Sequence, residues 1–79
     1  MDDYTIEMIA KKLGTNPENI RVFESESELE DFLIEKVRDG EIEAEERGEK
    51  FDLDSYYDVL LRNISVVDLD GQVYYVYVV

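Results

Sequence analysis

Carboxylates are the only reactive side chains in this 79-residue sequence present in numbers that could do chemistry together. There are 21 Asp and Glu against 8 Lys and Arg, with no His and no Cys, for a net charge of −13. Between Glu24 and Asp58 lie 15 acidic and 4 basic residues, so most of the excess falls in the middle of the chain. An ionised carboxylate accepts short, charge-assisted hydrogen bonds, and an Arg fork matches it bidentately. Carboxylate pairs can also act as general acid and base, but here nearly every spacing occurs and none singles out a pair. Without His or Cys there is no Ser-His or Cys-His nucleophile, no thiolate metal site and no common zinc site. Asp68-Leu69-Asp70-Gly71 has part of a calcium-loop pattern. Val66 stands where a further oxygen ligand is needed, however, and no Glu follows Gly71. The expectation is a non-enzymatic protein with no metal and no cofactor.

The elements that carry these acids can be read from apolar spacing. Ile6, Ile9, Ala10 and Leu13 predict a helix over 4–13, capped by Asp2 or Asp3 and stopped at Gly14. Thr15 to Glu18 is a turn, with Pro17 suited to the first position of one helical turn. Ile20 to Glu24 reads as a short strand. Ser25…Glu28 and Ser27…Glu30 both have capping-box spacing, so a helix begins in one of two frames. Leu29, Phe32, Leu33 and Val37 form its apolar face, and Asp39-Gly40 is read as its end. Residues 41–50 are almost wholly polar and are expected to be a short exposed helix or a mobile loop, limited by Gly48.

Leu53, Tyr56, Tyr57, Leu60 and Leu61 predict a third helix, capped by Asp52 or Asp54 and ended by Asn63. Asp70-Gly71 is a type I′ turn dipeptide between Ile64–Leu69 and Gln72–Val79. The resulting register sets Val66 against Tyr75, Ile64 against Tyr77 and Val67 against Tyr74. Both faces of that ribbon are apolar or aromatic. One should pack on the helices, and the other should meet a fourth element or a second copy of the chain. The expected fold is a single small α+β domain over 1–79, in the order α-β-α-(loop)-α-β-β, with the hairpin in a small antiparallel sheet. So short a chain buries a modest core.

Composition also sorts partners. With 44% hydrophobic residues placed periodically, the chain is not a disordered acidic tail. The Met-Asp-Asp start has neither the basic nor the apolar region of a signal peptide, and the longest apolar run falls far short of a membrane span, so a cytoplasmic protein is expected. Nucleic acid and anionic membranes would be repelled, and a basic groove attracted. Ile9 to Arg21 resembles the middle of a helix-turn-helix, with Ala10 in its first helix and Gly14 at the turn. Its second segment offers only Arg21 to phosphate, so direct DNA binding is not expected.

The stretch from Phe23 to Val79 resembles one module of the ArdA-type antirestriction proteins. The matching parts are Phe23-Glu24-Ser25 with Leu29-Glu30-Asp31-Phe32-Leu33, then Phe51-Asp52 with Tyr56-Tyr57-Asp58 and Leu61-Arg62, and finally Asp70 to Val76. This chain is much shorter than a full member. The resemblance implies an acidic mimic of duplex DNA that occupies the basic groove of a restriction enzyme. Small phage-encoded inhibitors, anti-CRISPR proteins among them, are similar in size and acidity.

Carboxylates three and four apart on a helix lie about 5–6 Å apart, a spacing that a phosphate-gripping groove can engage. The residues expected to do this are Glu26, Glu28, Asp31 and Glu35, followed by Glu43, Glu45 and Glu46 and then by Asp52, Asp54 and Asp58. One rival reading is a protein-interaction module or homodimer that uses the Tyr74, Tyr75 and Tyr77 strand. In another, the acid serves only solubility.

Overall fold

A computed structural model describes all residues, 1–79, as three helices and a three-stranded antiparallel sheet. Helix α1 (Asp3–Leu13) begins where the Asp2 carboxylate accepts from the Thr5 N–H at 2.8 Å. The Thr5 side chain, and after it this backbone hydrogen bond, hold the Asp2 carboxyl below its usual range. The helix ends at Gly14, which has φ +72° and is followed by the paired N–H donations that satisfy helix-terminal carbonyls. A single 3-10 turn at Pro17–Asn19 then leads into strand β1 (Ile20–Phe23).

Helix α2 (Glu26–Glu46) resolves the ambiguous capping frame. Ser25 is the cap, its Oγ accepting from Glu28 N at 3.3 Å, and Glu28 Oε2 accepts in return from Glu24 N at 3.0 Å. The expected stop at Asp39-Gly40 is overturned, because the helix runs on for six more residues, through Glu46. Segment 41–46, expected to be a separate short helix or a mobile loop, is therefore the last part of α2. The terminator is Gly48, at φ +70°, where Gly48 N donates to Glu45 O and Glu49 N to Ala44 O. Gly40 has another task. It is buried, and a Cβ there would lie 2.6 Å from Cζ of Tyr56. The missing side chain lets the Tyr56 ring lie against the helix.

Helix α3 (Leu53–Arg62) is capped by Asp52, which accepts from Ser55 N at 3.2 Å and from Ser55 Oγ at 3.1 Å. Strands β2 (Ile64–Leu69) and β3 (Gln72–Val78) form the hairpin, with Asp70 and Gly71 both at positive φ (54° and 83°) as a type I′ turn requires. Its register pairs Val66 with Tyr75, Ile64 with Tyr77 and Val67 with Tyr74. Strand β1 pairs antiparallel with the free side of β3, which gives the order β1-β3-β2.

The sheet has a core on each face. Ile9 packs with Val67 and Val76, and Leu13, Ile20, Val22 and Tyr74 surround them. Lys12 Nζ donates to Asp68 O at 2.8 Å and ties α1 to β2. On the opposite face Phe23, Phe32, Leu33 and Leu60 form the second core, flanked by Tyr56, Ile64, Tyr75 and Tyr77. The element needed for the second apolar face is thus α1, and the chain's own helices cover both faces. Neither cluster contains a buried polar side chain.

Candidate functional site

The acids are positioned chiefly by α2. Its buried stripe is Leu29, Phe32, Leu33, Val37 and Gly40. At about 100° per residue, the opposite stripe carries Glu28, Asp31, Glu35, Asp39 and Glu46, with Ile42 in the one apolar position. Glu30, Glu41 and Glu45 are also exposed on this helix. These eight carboxylates span residues 28–46, about 27 Å at 1.5 Å per residue. Their mean spacing along the axis, about 3.9 Å, is somewhat longer than the roughly 3.4 Å between charges along one strand of a DNA duplex. The molecule is elongated, 46 × 23 × 19 Å.

Little of this charge is neutralised internally. Only two ion pairs form, Arg47–Glu43 at 3.7 Å and Arg62–Asp58 at 2.8 Å, both exposed and four residues apart on helices. Two other cations lie over aromatic rings. The Arg21 guanidinium is 5.2 Å from the Phe32 ring centre, and Lys36 Nζ is 5.7 Å from Phe32 and 5.9 Å from Tyr77. Of the cations on α2, Arg38 alone stands among the outward carboxylates.

The ten residues expected from sequence divide by what they touch. Asp31, Glu35, Glu45, Glu46 and Asp54 are exposed and carry no internal hydrogen bond or ion pair. Glu43 and Asp58 hold Arg partners. Glu28 and Asp52 serve as helix-capping groups. Glu26 Oε1 accepts from the Tyr75 hydroxyl at 3.1 Å, which pushes that phenol's pKa up. The α2 acids fall along one rod. Asp54 and Asp58 stand instead on α3.

The acids expected from sequence leave out Glu30, Asp39 and Glu41. The signal was there: Asp39 follows Glu35 by four, and Glu45 follows Glu41 by four. No group of three acids is arranged to hold a metal ion. No helix is long and apolar enough to cross a membrane.

Between α2 and α3 lies a trough of about 520 Å³ lined by Leu33, Ile34, Val37, Leu53 and Tyr57, with Glu30 and Asp54 as its polar residues. No protein-family model matches this chain, and no curated protein or solved structure is significantly similar to it.

Proposed function

We propose that this protein is a non-enzymatic acidic inhibitor that imitates DNA phosphate charge and blocks the basic groove of a nucleic-acid-binding defence protein, a restriction enzyme or a CRISPR effector. One observation carries this reading: the uninterrupted α2, which displays eight exposed carboxylates over about 27 Å, at a mean axial density near that of phosphates on one DNA strand. A protein that needed acid only for solubility has no need of so many carboxylates on one rigid helix. Rigidity matters because carboxylates held in place lose less side-chain freedom on binding than those on a mobile loop. Arg and Lys placed to grip phosphate would accept carboxylates in the same positions. The strategy is the one implied by the resemblance to ArdA-type proteins, and the charge alone would keep nucleic acid itself away.

The rival use of the tyrosine-rich strand has less to work with. Tyr74 packs on the α1 side, and Tyr75 and Tyr77 pack on the α2–α3 side, all three partly buried.

The test compares capture from a lysate of the source cells by the wild type and by the triple variant Asp31→Asn, Glu35→Gln, Asp39→Asn. A DNA-binding protein retained by the wild type and lost by the variant is the expected result. Equal retention by both would overturn the reading.

A further inference from the structure

The trough between α2 and α3 is unlike the rest of the surface. In a chain of net charge −13, it gathers five apolar side chains, of which Ile34, Leu53 and Tyr57 are exposed and Leu33 forms the floor. Ile34 is 58% and Leu53 51% exposed. Exposed apolar residues scattered singly need no explanation, but a contiguous set framed by charge marks a contact surface. Its wall on α2, from Glu30 to Val37, is about 10 Å long, or two helical turns. Its wall on α3 is Leu53, Asp54 and Tyr57.

The charge inside the trough has one sign. Glu30 and Asp54 are within the lining, and no Lys or Arg is. Of the nearby charges in sequence, Asp31 and Glu35 on α2 are unpaired acids, Arg38 follows Val37, and Asp58 is paired with Arg62, so the acids outnumber the cations around the lining. An occupant with apolar anchors and neutral or acidic flanks would sit against this repulsion, and a second copy of the chain would bring the same acidic rim. Basic flanks would instead be drawn in. Two turns of wall suit two anchors three or four residues apart on a helix, the geometry of helix-in-groove recognition.

We infer that the α2–α3 trough is a docking site for a basic amphipathic helix, with two apolar anchors entering between Ile34 and Leu53 and Lys or Arg meeting Glu30 and Asp54. The site deepens the inhibitor reading by naming what the basic partner presents beside its phosphate-binding groove. It rests on that reading for its biological setting alone, since the chemistry of the trough is independent of the acidic row.

Two synthetic helical peptides of equal length and equal Lys content serve as probes, one with Leu at positions i and i+4 and one with Ser there. Both are titrated against the full chain by NMR, and the assay includes the double variant Ile34→Gln, Leu53→Gln. These two side chains are more than half exposed, so their loss leaves both cores intact. The Leu peptide is expected to bind at least tenfold more tightly than the Ser peptide and to shift the resonances of Ile34, Leu53 and Tyr57. In the double variant that preference should vanish. Equal binding of the two peptides, shifts confined to the Asp31, Glu35 and Glu46 row, or an equally strong response to a neutral Leu peptide would each overturn the proposal. So would a self-associated wild type that the double variant makes monomeric, because the occupant would then be a second copy. The acidic-row triple variant should keep the Leu-over-Ser preference, so failure at the trough and failure of the phosphate-mimic reading appear in different experiments.

Discussion

Single residues decide where the acidic rod can exist. At Gly40 two effects oppose each other. Alanine would favour the helix by up to about 1 kcal/mol. Its Cβ, however, would press on the Tyr56 ring from 2.6 Å, and overpacking of this kind costs about 1–3 kcal/mol. Gly40→Ala should therefore destabilise the protein by about 1 kcal/mol in a denaturant titration. In a Tyr56→Ala background the ring is gone, and the same change should become stabilising. If Gly40→Ala stabilises the wild type as well, the close approach is not what the glycine serves.

Tyr56 also gives the fold a pH limit. Burial raises its phenol pKa above the ordinary 10.0, and the negative field of Glu43 adds to the shift. A group with a raised folded pKa favours folding while it is protonated. Its contribution is therefore intact below the unfolded pKa and is lost as pH climbs from the ordinary tyrosine range through the raised folded value. Tyr56→Phe should keep the ring packing and flatten this alkaline loss. A wild type and variant that lose stability in parallel above pH 10 would contradict the assignment.

At the scale of elements, α2 holds two kinds of carboxylate with opposite expected behaviour. Ser25→Ala removes a cap and should cost about 1 kcal/mol. Asp31→Asn and Glu35→Gln remove exposed, unpaired charges from a strongly like-charged helix, and should leave stability unchanged or raise it slightly in thermal unfolding. A large loss from either would mean that these acids hold the fold.

The same contrast explains what could be read from sequence. The hairpin was legible to the residue, because Asp70-Gly71 fixes a two-residue turn and the period of two then fixes every pair. The three helices were legible from apolar spacing. The end of α2 was not, because a glycine that allows a ring to approach and one that ends a helix look alike until φ is known. Only Gly48 has the positive φ. That error divided one acidic helix into a helix and a loop. Sequence offered Glu28 and Asp52 as capping groups, each as one of two choices, and could not choose, since a carboxylate's partner depends on the frame in which its helix begins. The trough was hidden for another reason: Ile34 and Leu53 belong to different helices, and only tertiary packing sets them side by side.

For the whole molecule, the excess of charge is a standing cost to compactness. Added salt should screen the repulsion between exposed acids, so the denaturation midpoint should rise between low ionic strength and about 0.15 M, where the Debye length is about 8 Å. A midpoint indifferent to salt would show that the row is not under electrostatic strain. Partner binding should respond in the opposite direction, weakening steeply with salt as phosphate contacts do. One field thus opposes folding and drives association.

The most direct measurement is whether a captured partner can hold this protein and duplex DNA together. The partner is bound to the immobilised chain at fixed ionic strength and challenged with increasing duplex DNA. If the α2 row stands in for phosphate, DNA and this protein compete for one groove, and DNA releases the partner while an uncharged polymer does not. A stable ternary complex, with DNA bound and the partner still retained, would contradict the account.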